Sequence, residues 1–190
     1  MRFRIIATVV LAFTSSAFAS ETYKFDQSHS TIAFSVHQFL GTTDGRFAKF
    51  DGKIEIDREN PGNSSVTARI DVRSIDTGIA KRDNHLRSAE FFSVEKYPEI
   101  VFKSRSVKRT GAQAGDIVGD LTMHGVTRPV TLHVKLVTSV NDVKQTRWSV
   151  TTDPLKRRDF NLMFNQTAES LSGISQTVEV KIDIVASRSQ

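Results

Sequence analysis

The sequence predicts an all-β protein, an antiparallel β-barrel of about eight strands with one or two short helices. Three observations point there. Apolar residues recur with a period of two in one segment after another, clusters of Gly, Asn and Pro fall between those segments, and only 77–98 breaks the pattern. Successive side chains of a strand point to opposite faces, so each such run has one apolar and one wet face. That is the antiparallel signature. Strands of a parallel sheet, covered on both sides, read as unbroken apolar runs.

In chain order, the first element is a leader. Met1-Arg2-Phe3-Arg4 is a short basic start, 5–13 is apolar apart from Thr8, and Ala17-Phe18-Ala19 offers small residues at the positions that a signal peptidase reads. This is the layout of a secretory signal peptide, with cleavage expected before Ser20. A membrane anchor is the competing reading, but as a helix the apolar run covers only about 14 Å of a hydrocarbon core ~30 Å thick. Residues 1–19 are therefore expected to be removed and the rest exported, to a periplasmic location for a Gram-negative source.

Five runs carry the alternation most clearly. Ile32, Phe34 and Val36 alternate with Ala33, Ser35 and His37; Ile54 and Ile56 with Lys53, Glu55 and Asp57; Val66, Ala68, Ile70 and Val72 with Thr67, Arg69, Asp71 and Arg73. Further on, Val130, Leu132, Val134 and Leu136, then Val178, Val180, Ile182 and Ile184, do the same. Weaker strand signals lie at 100–107, 117–123 and 148–152. Turn chemistry separates them at Asn60-Pro61-Gly62-Asn63, Thr110-Gly111, His124-Gly125, Asn141-Asp142 and Ser172-Gly173. Within 77–98, Asp83-Asn84-His85-Leu86-Arg87 followed by Ala89-Glu90-Phe91-Phe92 suggests one or two short helices ended by Pro98. No repeat or linker divides 20–190, which reads as a single domain. Such a sheet hides its edges by sandwiching or by closing into a barrel. The pattern leaves both open, and strand length and turn spacing favour the barrel.

Composition narrows the chemistry. No cysteine among 190 residues excludes disulfides, thiolate metal sites and a thiol nucleophile. Without Arg2 and Arg4 the chain keeps 24 basic against 21 acidic residues, a surplus too small to argue for nucleic acid. His133 falls on a polar strand face, and His124 precedes a turn glycine. Asp26, Ser28 and His29 are set aside as a catalytic set because residues so close together on a strand do not converge. No paired-acid cleft, phosphate-cradling glycine loop or H-x-x-x-H pair stands out. Lys156-Arg157-Arg158 lacks interleaved aromatics and reads as a solvated rim. The informative oddity is aromatic choice. Ten of the 13 phenylalanines follow the leader, against two Tyr and one Trp. Phe has no polar atom that needs a partner when buried, so Phe, Ile, Leu and Val can line a dry cavity or equally fill a core.

Several segments together resemble the YceI-like family. Asp26-Gln27-Ser28-His29-Ser30 leads into Ile32-Ala33-Phe34-Ser35-Val36-His37; Gly45-Arg46-Phe47, Phe50-Asp51-Gly52 and Ser74-Ile75-Asp76-Thr77-Gly78 follow. The most specific stretch is Arg82-Asp83-Asn84-His85-Leu86-Arg87-Ser88, continuing through Phe91-Phe92 to Tyr97-Pro98-Glu99-Ile100-Val101-Phe102. Gly119-Asp120-Leu121-Thr122-Met123-His124-Gly125-Val126-Thr127-Arg128-Pro129-Val130 and Arg158-Asp159-Phe160-Asn161-Leu162 complete the set, with Asn161 standing where the family commonly has Gly.

The resemblance implies an extended, lipocalin-like barrel with a helical segment near one end, and non-catalytic binding of a long polyisoprenoid, quinone or fatty amphiphile in the periplasm. A membrane cytochrome b561-type partner is implied as well; no cofactor, metal or nucleic acid is expected. An exposed edge or the helical flank offers a surface for a homodimer. The cavity wall expected on this basis comprises Phe34, Phe47, Phe50, Phe102, Leu121, Leu132, Val134, Trp148, Phe160, Leu162 and Phe164, with Phe91 and Phe92 as a gate or tunnel end. His37, Arg82, Asn84 and His85 are expected at a polar head group. The rival readings are an enzyme acting on a lipid in the barrel, and a stress or interaction protein whose interior is packed.

Overall fold

The computed structural model describes residues 20–140, 144–163 and 173–189. The expected leader, the Asn141-Asp142 turn, Phe164 and Ser172 lie outside them. The barrel is an up-and-down meander of eight staves, four of them interrupted. The first is β1 (Glu21–Phe25) and β2 (Thr31–Gln38), parted by a 3-10 turn at Gln27–His29. Next come β3 (Gly41–Phe47) with β4 (Phe50–Ile56), then β5 (Ser65–Asp71) with β6 (Ile75–Asp76), parted by a 3-10 turn at Val72–Ser74. β7 (Glu99–Arg109), β8 (Ala114–Met123), β9 (Val126–Val140) and β10 (Gln145–Thr152) follow in order. β11 (Leu155–Lys156) continues β10 along β12 (Thr177–Arg188).

All neighbours are antiparallel, and the sheet closes because β12 pairs with both halves of the first stave. Glu179 to Asp183 pair with β2, and Ala186 to Arg188 with β1. One end of the barrel gathers the β2–β3 turn, the helix α1 (Ala80–Arg87), the β8–β9 turn and the segment around Phe160; the other gathers the 57–64 and 110–113 connections. Along the staves the alternation read in the sequence becomes inside and outside. Ile32, Phe34 and Val36, and likewise Val130, Leu132 and Val134, turn inward, while His37 and His133 turn out.

Two strands escape the sequence pattern for physical reasons. β1 is only five residues and interrupted at once by Asp26, whose carboxylate caps the 3-10 turn by accepting from the Ser28 amide at 3.0 Å. β3 reads Gly-Thr-Thr-Asp-Gly-Arg-Phe, with Thr43 and Gly45 where an apolar inner face would be, and is a strand because it pairs with β2 from Gln38↔Gly41 to Ile32↔Phe47. The weak signal of β7 has its own cause. A bulge between Ser104 and Ser106 shifts the inward set from Ile100 and Phe102 to Val107 and Arg109.

Of the helical segment, one α-helix forms. Eight residues with Leu86 as the only large apolar side chain are too few and too polar to be stable alone. Hydrogen bonds to the chain segment just before it, 73–77, hold it. Buried Asp83 accepts from the amide and hydroxyl of Thr77 at 3.0 and 2.5 Å, and Arg87 donates to the carbonyls of Arg73 and Ile75 at 2.8 and 2.5 Å. The His124-Gly125 turn, expected from sequence, joins β8 to β9 with φ of 50° and 74°, the two positive values that a two-residue hairpin of the twist-matched type needs. Asn161 also sits in the left-handed region, at φ 55° and ψ 25°. Asn tolerates that conformation better than other residues with a Cβ, so it can stand where Gly is common.

Two outcomes test this account. Gly125→Ala places a Cβ at positive φ and 2.6 Å from the Tyr97 ring, and is expected to lower the unfolding free energy by about 1–3 kcal/mol in denaturant titration. On the outer wall, Asp116 lies 2.8 Å from His133 Nδ1 and Asp153 lies 3.7 Å from its Nε2, and together they raise the imidazole pKa, Asp116 first. A raised folded pKa stabilises fully below the unfolded value of about 6.5 and loses its contribution as pH climbs through the folded value. In NMR titration Asp116→Asn is therefore expected to shift the His133 midpoint downward, and to flatten the stability change over the same pH window.

Candidate functional site

The inward faces do not meet. They enclose an elongated cavity of about 660 Å³ that runs from the α1 end to the 110–113 connection, within the range of roughly 300–1,000 Å³ typical of small-ligand cavities. Its middle is hydrocarbon and aromatic, built from Ile54, Ile70, Phe102, Ile117, Leu121, Leu132, Val134, Trp148, Val150 and Ile182. The one polar atom among those side chains, the Trp148 indole nitrogen, donates to Thr146 Oγ1 at 2.9 Å within the wall. It therefore asks nothing of a guest.

Three phenylalanines lie against the wall because the neighbouring stave has no side chain beneath them. A Cβ on Gly45 would fall 2.3 Å from the Phe34 ring, one on Gly52 2.3 Å from Phe25, and one on Gly119 2.5 Å from Phe102. Each ring occupies the space of the missing side chain instead of crossing the lumen. Near the α1 end the rings continue as a run of contacts. Phe34 and Phe47 have centroids 5.6 Å apart, Phe47 and Phe92 6.4 Å, and Phe92 and Phe91 5.3 Å, the last two pairs edge to face.

Polar groups border the cavity only near its ends. At the α1 end, Arg82 donates from Nε to Thr77 Oγ1 at 2.8 Å, from Nη2 to the Thr77 carbonyl at 2.8 Å and from Nη1 to Thr43 Oγ1 at 3.3 Å. Gln38 Nε2 donates to the same Thr43 hydroxyl at 3.0 Å. A guanidinium has five N–H groups, so two remain beyond these bonds. No carboxylate pairs with Arg82 among the described residues. His85 borders the cavity beside it and stands 3.9 Å from Glu90. The opposite end is different: Arg58, which borders the cavity, is neutralised by Glu21 at 2.8 Å, and Glu21 also accepts from the Tyr23 hydroxyl at 2.9 Å. The Arg58 hydrogen bond, then Tyr23 and the nearby Arg188, hold the Glu21 carboxyl below its usual range.

Most of the expected wall borders this cavity: Phe34, Phe47, Phe91, Phe92, Phe102, Leu121, Leu132, Val134, Trp148, Phe160 and Leu162. Phe164 lies outside the described residues. Phe50 is inside but does not reach the void, being packed in the buried cluster with Tyr23, Val72 and Ile75. Of the expected head-group residues, Arg82 and His85 face the cavity and two do not. His37 lies on the outer face of β2, its Nδ1 2.9 Å from Thr42 Oγ1 and its Nε2 3.4 Å from Glu179, because strand alternation turns it opposite to Val36. Asn84 lies on the far side of α1, accepting from Arg87 at 3.2 Å. Gln38, Thr43 and Thr77 take their place. Gln38 was within reach of the sequence, since it continues the inward set Ile32, Phe34 and Val36.

Two further expectations need correction. Asp26, Ser28 and His29 do converge, because they form a 3-10 turn and not a strand. Ser28 Oγ is 2.5 Å from Asp26 and 3.0 Å from His29 Nδ1, which is itself 2.8 Å from Asp26. The arrangement differs from a triad, in which the serine and the aspartate hold opposite ring nitrogens. Here the same Nδ1 faces both, and Ser28 first, then His29, lowers the Asp26 pKa. Lys156-Arg157-Arg158 is a solvated rim only at its flanks. Arg157 is buried, donating from Nε to the Ser175 carbonyl at 3.0 Å and from Nη1 to the Leu162 carbonyl at 3.3 Å. Among the described residues no three His, Asp or Glu side chains gather as a metal site would require.

Comparison with known proteins agrees with this architecture. The chain is 38% identical over 181 residues to Protein YceI of Salmonella arizonae, covering 92% of this chain and 91% of that one. The Salmonella newport protein of the same name is 37% identical over 180 residues. Among solved structures, Burkholderia cenocepacia BcnA superposes with a TM-score of 0.78 at 24% identity, covering 86% of this chain and 99% of that one. A polyisoprenoid binding domain from Saccharophagus degradans superposes at 0.64 and 22%, covering 88% and 98%. At these identities the two structures speak for the fold alone. The YceI-like domain matches residues 23–186, nearly the whole of the barrel from β1 to β12, and the chain belongs to that family.

Proposed function

We propose that the barrel binds one long-chain isoprenoid, a polyprenyl or quinone-type lipid, or a similar amphiphile, for carriage or storage in the periplasm, without transforming it. The observation that carries this reading is the elongated apolar cavity with charge confined to its ends. β7 alone has 11 residues, about 36 Å of strand, so the lumen suits a chain better than a compact molecule. Transfer of the tail from water contributes roughly 25 cal/mol per Å² of apolar area removed, offset in part by the freedom the tail loses. The Saccharophagus degradans neighbour, itself a polyisoprenoid binding domain, supports the same class of cargo.

The head group belongs at the α1 end. Arg82 is oriented there by Thr77 and Thr43, and its remaining N–H groups suit a phosphate or a quinone carbonyl. Phe91 and Phe92 would act as the gate beside it. The leader read in 1–19 supplies the export, and a quinone cargo would imply a membrane cytochrome b561-type partner.

Solvent extraction of gently purified protein followed by mass analysis is expected to release an isoprenoid; protein that yields no lipid would overturn the reading. Leu132→Trp, which fills the middle of the lumen, is expected to lower the amount of extracted lipid by roughly tenfold while the far-UV spectrum stays that of the parent. Arg82→Gln is expected to weaken a phosphate-headed isoprenoid by roughly tenfold or more, the loss of a charge-assisted hydrogen bond, and to leave a neutral isoprenoid alcohol unchanged in a fluorescence competition.

A further inference from the structure

The β2–β3 turn carries two large apolar residues in the open. Phe39 is 77% exposed and Leu40 is 100% exposed, and Ile79, at the start of α1, is 52% exposed. These are three of the five exposed large hydrophobic residues among the described ones, and all three lie at the α1 end; the others, Val118 and Val137, lie apart on the outer wall. Water offers no reason to keep such side chains at a hairpin tip, where polar turn residues serve.

The tip is continuous with the α1 end of the cavity. Val36 and Gln38, just before it, and Thr43, just after it, all border the lumen. The hairpin also runs past its neighbour, since β6 pairs only with Arg46 and Phe47 and leaves Gly41 to Gly45 beyond the shared edge. Around this end Lys81, Lys156 and Arg158 are exposed, and among the described residues neither they nor Arg82 pair with a carboxylate. Of the described acidic residues on this hairpin and the strand beside it, Asp44 accepts from Ser35 at 2.6 Å, and Glu179 lies 3.4 Å from His37.

We infer that this end docks on the surface of an anionic lipid bilayer, with Phe39 and Leu40 entering the interface and the cavity mouth held against it. Three apolar side chains fall well short of the ~800 Å² per partner that a stable protein interface buries. They are the right size for insertion between head groups, with the flanking cations drawn to lipid phosphates. The inference extends the lipid-binding reading by naming the surface from which the cargo enters, and its test does not require a loaded barrel.

Lipid-stripped protein is sedimented with vesicles of phosphatidylcholine containing phosphatidylglycerol. The parent is expected in the pellet, less so at high salt, and Phe39→Ser/Leu40→Ser is expected to lose roughly tenfold or more in partitioning. Uptake of a fluorescent farnesyl probe from those vesicles falls in parallel, while loading of the same probe from detergent is unchanged. Leu40→Ser alone, at a site with no burial, guards against misfolding and is expected to show an intermediate loss. A parent that stays in the supernatant with these vesicles, or a double variant that partitions as the parent does, overturns the inference. So does a vesicle-free dimer that Leu40→Ser dissociates, since a second copy would then cover the tip. Absence of extractable lipid, with vesicle binding intact, would remove the cargo and leave the docking surface standing.

Discussion

Closure of the sheet between the first and last staves is the constraint on which the rest depends. Tyr23, Lys24 and Phe25 pair with Arg188, Ser187 and Ala186, and β2 takes the remaining edge of β12. A closed sheet has no edge left to pair, and its circumference is fixed by strand number and stagger. Once the radius is fixed, the inward side chains either bridge the middle or leave it empty. Here they leave it empty, and the chemistry of the protein follows from what lines that space.

Interrupting three neighbouring staves at one level leaves their pairing with one another intact, while β6 pairs with β3 alone and not with β7. The 3-10 turns at Gln27–His29 and Val72–Ser74 leave each half paired with the matching half of its neighbour. The interruptions also permit β3 and β6 to leave the barrel line, which makes room for α1 beside the mouth. The helix is bonded to the segment before it through Asp83 and Arg87, and Leu86 packs against the buried cluster. The same turn of chain that borders one end of the cavity also presents Arg82 to it.

How much of this the sequence disclosed depends on the kind of signal. Strands with a regular inner face, such as Val130 to Leu136 and Val178 to Ile184, were legible because alternation is imposed directly by the pleat. β3 was not, because its inner face is Thr43 and Gly45, and its place is set by β2. The wall was legible as a class of residues, but composition cannot distinguish a filled interior from a hollow one. That depends on where the Phe rings lie, and the ring of Phe34 lies where it does because residue 45 is glycine. At the α1 end, motif likeness names four residues of which Arg82 and His85 border the cavity while His37 and Asn84 lie on other faces, because likeness carries no information about the face a side chain takes. Asp26, Ser28 and His29 illustrate the converse: closeness in sequence keeps side chains apart on a strand, and a tight turn brings them together.

The rings resting over Gly45, Gly52 and Gly119 make the calibre of the tunnel a property of positions that contribute no atoms to its surface. A single added methyl at any of them would tip an aromatic plate toward the axis and narrow the bore, with no change to the plate itself. Barrels of this design can therefore be fitted to thicker or thinner cargo by adjusting the footing of the lining, leaving its oily character and the outer shell untouched.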